Sequence, residues 1–282
     1  MTHPRDDGRG LVAVFGGGGV KAAAHAGAWR ALTEAKLAPS HYCGTSMGAV
    51  VAACFSAGLS FEDVRRRMTG LKRENVARRR SLLAVRGLTA PSVFYLEPLR
   101  HVIEQLVPVR SFAELSVPLT VTAVDIESGA LALFGAGGTE VPLVEALLAS
   151  CALPVFYPSV EIQGRRYADG GLRSVLPLDV VGNLPASMVV AVDTGPGFDE
   201  KASASGMPAL LDAHNAATGI LMASNTAAEV AQWRLTPGRA PLVYVRPKVD
   251  KNVTFRVDLA EKYAEEGYRA TKAELARLGL GG

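Results

Sequence analysis

The pentapeptide at residues 44–48, Gly-Thr-Ser-Met-Gly, constrains this chain more than any other stretch. A short strand-like segment precedes it at residues 41–43, and a helix of small residues is predicted at 47–57. A G-x-S-x-G turn between a strand and a helix projects its serine into a cleft, and the flanking residues must be small to avoid clashes. The pentapeptide alone is a weak signal in a glycine- and alanine-rich chain. Its placement makes Ser46 the candidate nucleophile.

The elements around this turn alternate between strand and helix. A buried-type strand is predicted at residues 11–15, a helix at 21–37 and a second strand at 41–43, with a turn at Pro39-Ser40 between them. This order is typical of a parallel sheet covered by helices. Further strands are predicted at 117–124, 129–134, 157–167, 186–192 and 242–246, and further helices at 95–106, 141–152, 209–234 and 257–278.

Composition narrows the class of protein. With 282 residues, 49% of them apolar and 20% charged, the chain fits one large α/β domain, residues 1–282, with a helical C-terminal part at 194–282. A net charge of +3 gives no indication of nucleic-acid binding. Three cysteines and no His/Cys cluster argue against a disulfide framework and a metal site. The polar N-terminus lacks a signal-peptide pattern, which favours a cytoplasmic location.

The glycine run at residues 16–19 has two interpretations. Gly17-x-Gly19-x-x-Ala22 after a strand fits a relaxed dinucleotide fingerprint, but the acidic residue expected at the end of the second strand is missing. Alternatively, the backbone amides of Gly17, Gly18 and Gly19 could face a developing oxyanion without side chains in the way. The second interpretation makes the run part of the Ser46 site.

The nucleophile needs a base, and two candidates follow from the sequence. The order Ser46, Asp193, His214 copies an α/β-hydrolase triad, but His214 lies inside an alanine-rich helix pattern. Asp169 ends an extended segment, and the two following glycines allow close approach to another loop. A partly buried carboxylate has raised basicity and could take the serine proton directly, so Asp169 is the better candidate.

A strongly basic segment runs from Arg65 to Arg86 within a predicted helical insertion at residues 60–110. It carries nine arginines and lysines against one acid, Glu74, with leucines and valines interleaved. A solvated helical surface is one interpretation. The other is a lid that contacts anionic membrane surfaces peripherally.

Three segments in order resemble the patatin-like phospholipase family. The run Gly16 to Lys21 resembles its glycine-rich motif with a following basic residue, and the Ser46 pentapeptide resembles its nucleophile elbow. The stretch from Ala149 to Pro154, then Phe-Tyr-Pro at 156–158 and Asp-Gly-Gly at 169–171, resembles its second catalytic block. The resemblance is clear from Leu11 to Asp193.

The resemblance implies a three-layer α/β/α fold with a mostly parallel sheet and a Ser46–Asp169 dyad without histidine. It also implies hydrolysis of lipid acyl esters without a cofactor. Ala22 stands where the motif usually has glycine, and Ser174 and Val175 occupy a region where the family often has asparagine. The altered residues at 174 and 175 keep open an alternative, a catalytically weak or inactive module that binds lipid or a partner.

Overall fold

The computed structural model describes residues 10–71, 92–198, 208–250 and 255–280. One sheet of eight strands runs through this part of the chain. The strands are β1 (Gly10–Phe15), β2 (Pro39–Thr45), β3 (Leu119–Asp125), β4 (Leu131–Gly135), β5 (Val160–Ile162), β6 (Arg165–Asp169), β7 (Ala186–Val192) and β8 (Leu242–Val245).

The sheet has a parallel half and an antiparallel half that share β3. Strands β8, β7, β1, β2 and β3 are neighbours in that order, and all four pairings between them are parallel. Strands β4 and β6 pair with β3 in antiparallel fashion, and β5 pairs with β6. The predicted mostly parallel sheet is confirmed, with an antiparallel extension beyond β3.

Helices cover both faces of this sheet. They are α1 (Ala23–Glu34), α2 (Met47–Ser56), α3 (Phe61–Thr69), α4 (Leu96–Leu106), α5 (Leu143–Ser150), α6 (Leu178–Val181), α7 (Ala209–Leu235) and α8 (Ala260–Arg277). Side chains of β1 alternate between the faces: Ala13 and Phe15 join the core with α1, α2 and α5, whereas Val12 and Val14 join the core with α6 and α7. The predicted three-layer α/β/α architecture is therefore confirmed.

Glycines allow the backbones of α1 and α8 to pack in direct contact. A Cβ on Gly27 of α1 would overlap the carbonyl oxygen of Ala264 in α8, and a Cβ on Gly267 of α8 would overlap the carbonyl oxygen of Ala24 in α1. The two backbones therefore touch at a pair of glycines. This packing attaches the C-terminal helix to the first helix of the fold.

One local prediction is wrong. Pro39 and Ser40 do not form a turn but begin β2, where Leu11 faces Pro39. Proline is tolerated at the first position of a strand because its missing N–H removes no essential ladder bond. The prediction failed because proline and serine favour turns locally, whereas pairing with β1 holds these two residues in a strand.

The basic segment is described only at its start. Residues 72–91, including Arg78, Arg79 and Arg80, lie outside the described residues. In α3 the guanidinium of Arg65 pairs with Glu62 and Glu261. Arg66 pairs with Asp63, and Arg67 donates to the Gln105 and Leu106 carbonyls at the end of α4. Arg65 and Arg67 thus attach α3 to α8 and α4, whereas the pair of Arg66 with Asp63 lies within α3.

Within the described ranges, no helix combines the length and the apolar character needed to cross a bilayer.

Candidate active site

Ser46 lies at the tight turn between β2 and α2 with a strained backbone. Its φ of 54° and ψ of −134° are rare for a residue with a side chain. The flanking glycines are required by space: a Cβ on Gly44 would lie 2.6 Å from the Ala49 Cα, and one on Gly48 would overlap the carbonyl oxygens of Phe15 and Gly16. The turn has the geometry of a nucleophile elbow.

The register of β3 brings Ser46 and Asp169 together. Thr45, the last residue of β2, pairs with Thr122, and Asp169, the last residue of β6, pairs with Ala123. Strand β4 occupies the opposite edge of β3 at the same residues, so β2 and β6 share one edge and meet at their carboxyl ends. Residues 123 positions apart in the sequence thereby become neighbours.

A short hydrogen bond joins the two side chains. The Ser46 hydroxyl donates to Asp169 Oδ2 at 2.7 Å, and the Gly171 amide donates to Asp169 Oδ1 at 2.8 Å. Both side chains are buried. Burial raises the pKa of Asp169 from 3.8 to about 6, while the bonds from Gly171 and Ser46 lower the pKa and partly offset this shift. The carboxylate is thus a stronger base than an exposed aspartate, yet ionised at neutral pH.

Ser150 fixes the backbone of the candidate nucleophile. The Ser46 amide donates to Ser150 Oγ at 2.7 Å, and Ser150 is fully buried at the end of α5. The sequence assigned no role to Ser150, although it lies in the motif that resembles the family. The sequence did contain one indication: Ser150 is a polar residue near the end of an otherwise apolar predicted helix.

The three predicted oxyanion glycines are not equivalent. The Gly17 amide donates to the Val175 carbonyl at 2.9 Å and is already engaged. In the described part of the chain, the amides of Gly18 and Gly19 donate to no protein group. A Cβ on Gly18 would overlap the Thr194 carbonyl oxygen, and Gly19 has a φ of +60°, so both positions require glycine. Two amides therefore remain available to an incoming oxygen.

Buried side chains hold this glycine loop from behind. His25 Nε2 lies 2.8 Å from the Gly16 carbonyl oxygen and carries the proton, since a carbonyl only accepts. The Thr194 hydroxyl lies within hydrogen-bond distance of the Gly16 and Gly17 carbonyls. Burial lowers the pKa of His25 to about 4, so the ring is neutral. His25 thus supports the loop, while the Ser46 hydroxyl donates to Asp169.

The alternative triad of Ser46, Asp193 and His214 is not formed in the structure. Asp193 is buried and its carboxylate is occupied by Arg246 at 2.8 Å, the Tyr244 hydroxyl at 2.7 Å and the Gly195 amide at 2.9 Å. His214 lines the same cavity as Ser46, but the Ser46 hydroxyl donates to Asp169. The carboxylate of Asp193 anchors the 193–195 turn next to the glycine loop.

The residues that depart from the family pattern are integrated into the site. Ser174 donates from Oγ to Glu229 of α7 at 2.8 Å, and its carbonyl accepts from the Thr45 hydroxyl at 3.0 Å. The Val175 carbonyl accepts the Gly17 amide. Burial raises the pKa of Glu229 to about 7. The segment after Asp169 therefore contacts both the nucleophile strand and the glycine loop. The sequence did not single out Glu229, although it is an acid in a predicted helix with few charged residues.

A largely apolar cavity of about 350 Å³ opens onto these groups. Ser46, Asp169 and all three glycines line it. Its apolar wall comes from α3, α4 and the segments around residues 153–157 and 255–260; among its members are Met68, Leu71, Leu99, Val102, Leu153 and Phe255. The described residues contain no group of three or more His, Cys, Asp or Glu side chains placed to hold a metal. The cavity suits an apolar chain attached to a polar reacting group.

Comparison with known proteins gives the same family as the motifs. The family model for patatin-like phospholipase matches residues 13–181. An uncharacterised NTE family protein of Mycobacterium tuberculosis is 28% identical over 190 residues, which are 66% of this chain and 50% of the relative. A patatin-like phospholipase domain-containing protein 7 of Rattus norvegicus is 28% identical over 192 residues, 67% of this chain and 14% of the relative.

The chain thus spans half or less of these relatives' lengths. Among solved structures, VipD from Legionella pneumophila aligns with a TM-score of 0.50 at 13% identity, covering 95% of this chain and 67% of that chain. At that identity the likeness concerns the fold alone. The family match spans more than half of the chain and includes Ser46 and Asp169. The chain belongs to the patatin-like phospholipase family.

Proposed function

We propose that this protein is a serine acyl hydrolase that cleaves lipid acyl esters with a Ser46–Asp169 dyad, of the phospholipase A, lysophospholipase or esterase type. The observation that carries the proposal is the 2.7 Å bond from the Ser46 hydroxyl to Asp169 in an apolar cavity. A carboxylate in hydrogen-bond contact with a serine at a nucleophile elbow is arranged to accept its proton.

The reaction proceeds in two steps. Asp169 takes the proton from Ser46 Oγ while that oxygen attacks the ester carbonyl carbon, and the amides of Gly18 and Gly19 bind the resulting oxyanion. The intermediate collapses to the acyl-enzyme, and protonated Asp169 returns the proton to the leaving alcohol. Asp169 then takes a proton from water as the water oxygen attacks the acyl carbon, and it passes that proton to Ser46 Oγ as the acyl–serine bond breaks and the fatty acid leaves.

Gly17 has a structural part in this scheme. Its amide donates to the Val175 carbonyl, so Gly17 joins the glycine loop to the segment after Asp169.

Lys21, buried beside the same cavity, donates to the Gly195 carbonyl at 3.3 Å and places positive charge near the glycine loop. Removing one oxyanion donor typically lowers the rate about 10²–10³-fold.

Hydrolysis of a nitrophenyl ester tests the proposal. We expect wild type to be active, and Ser46→Ala and Asp169→Asn to lose at least about 10²-fold in kcat, because each removes one half of the dyad. An inactive wild type that still binds lipid vesicles would favour the alternative of a binding module. Full activity of Ser46→Ala would refute the dyad.

Peripheral membrane contact through Arg65 to Arg86 stays a second, separate proposal, motivated by the charge of that segment. Replacing Arg78, Arg79 and Arg80 with Glu should weaken binding to anionic vesicles, and added salt should do the same. Vesicle binding that is unchanged in this variant would leave the segment as a solvated surface.

A further inference from the structure

An exposed apolar face of α7 borders the cavity. Apolar residues at spacings of three or four form one stripe along the first half of the helix, and all are exposed. This α7 stripe consists of Leu210, Ala213, Ala217, Ile220 and Leu221. The side chains of Leu210 and Leu221 are 67% and 65% exposed. The opposite face of the helix, with Ala223, Thr226 and Val230, is buried against the protein.

The stripe is continuous with the cavity that holds Ser46. Ile220 belongs to the stripe and also lines the cavity. Phe198, which is not part of the stripe, lines the same cavity and is 67% exposed. An apolar chain that lies on the stripe therefore reaches the Ser46 hydroxyl without crossing a charged rim on α7.

Charge is nearly absent from most of this helix. Residues 209–228 contain one acid, Asp212, and no lysine or arginine. Contiguous exposed apolar surface marks an interaction site. A second copy of the chain bound here would cover the mouth of the cavity. A lipid surface would instead supply the apolar chains that the cavity can hold. The chemistry of the stripe and its position therefore favour a bilayer as the partner.

We propose that the α7 stripe docks on the surface of a lipid bilayer, with α7 in the plane of the interface and the cavity mouth facing the acyl chains. The choice of partner rests on the proposed function. A helix with one apolar face and its other face held by protein can bury that apolar face at the headgroup–acyl boundary. Because the stripe has no cation, docking should occur on neutral lipid and should be little affected by salt, unlike binding through a basic segment.

Flotation with phosphatidylcholine vesicles at low and high salt tests the proposal. We expect wild type to float at both salt concentrations, and Leu210→Ser/Leu221→Ser to bind about tenfold or more weakly, because the apolar area entering the interface is lost. Leu278→Ser is the matched control: Leu278 is 52% exposed at the end of α8, which packs on α1 on the opposite side of the sheet from α7. It should float like wild type.

Two further readouts separate docking from catalysis and from self-association. Neither Leu210 nor Leu221 lines the cavity, so the double variant should hydrolyse a soluble nitrophenyl ester like wild type and lose activity only on vesicle-embedded ester. Flotation without any ester hydrolysis would support docking and refute the proposed function. The docking proposal is wrong if wild type fails to float on neutral vesicles, if the double variant floats equally well, or if the double substitution instead turns a dimer into a monomer in size-exclusion chromatography.

Discussion

Asp169 is a buried carboxylate whose protonation is linked to folding. Its pKa is about 6 in the folded protein against 3.8 for an unperturbed aspartate, because burial disfavours the charged form. The folded state therefore binds the proton more tightly than the unfolded chain between these values. Stability falls as pH rises from about 4 to 6, and above that range the ionised carboxylate destabilises the fold.

Replacing Asp169 with Asn should therefore stabilise the protein at pH 8. The amide keeps an acceptor for the Gly171 N–H but carries no charge, so we expect a gain on the order of 2 kcal/mol in the free energy of unfolding at pH 8 and little gain at pH 4. Urea unfolding at both pH values measures it. A variant that is less stable than wild type at pH 8 would contradict the account of Asp169 as a destabilising buried charge.

Two buried serines allow a matched comparison. Ser150→Ala leaves the buried Ser46 amide without its acceptor, and we expect a loss of about 1–3 kcal/mol in stability together with reduced ester hydrolysis. Ser56 is equally buried, but its hydroxyl has no partner among the described residues. Ser56→Ala should be neutral or stabilising when both variants are compared by thermal unfolding. Equal effects of the two substitutions would remove the assigned role of Ser150.

At the scale of elements, the sequence predicted which segments meet but not by which contacts. The Ser46 turn and the Asp169 segment were recognisable from the spacing of their glycines, because glycine marks positions where the local backbone leaves no room for a side chain. Their meeting on one edge of β3 depends on long-range register, and a local pattern does not encode it. Ser150, Glu229 and the engaged Gly17 amide were missed for the same reason, since each bond joins segments far apart in the chain.

The contact of α1 with α8 is the element-scale prediction. Gly267→Ala would place a Cβ against the Ala24 backbone, which cannot move without shifting α1. We expect a loss of about 3 kcal/mol or failure to fold, since overpacking a rigid contact is costly. Gly70→Ala is the control, because its Cβ would meet the Arg66 carbonyl oxygen at an ordinary 3.4 Å. Thermal unfolding that is the same for both variants would disprove the tight packing of α1 and α8.

At the scale of the whole molecule, the fold class follows from the sequence and the cavity does not. The alternation of strands and helices predicted the layers, but the cavity wall combines α3, α4, α7 and the segment before α8. The predicted helical part at residues 194–282 also contributes β8 to the sheet, as the predicted strand near residue 242 implied. Because the cavity is formed by several elements that are distant in the chain, no single stretch of sequence predicts its shape.

Narrowing this cavity should change the preference for acyl length. Val257 lines the cavity beside Ala260, so Val257→Trp should lower kcat/KM for long-chain esters about tenfold or more while short-chain esters are little affected. Asp258→Trp at the neighbouring exposed position is the control. It removes a surface ion pair with Arg256, and such exposed pairs contribute little to stability. An unchanged chain-length profile in Val257→Trp would place the acyl chain elsewhere.

The dyad itself is tested most directly by the rate at which a fluorophosphonate modifies Ser46, followed by mass mapping across pH. We expect one adduct on Ser46 in wild type, at a rate that rises with pH to a plateau above a midpoint near 6, because only ionised Asp169 accepts the proton. In Asp169→Asn the rate should fall at least about 10²-fold and lose this midpoint. Labelling of Asp169→Asn at the wild-type rate, or an adduct on another residue, would contradict the dyad.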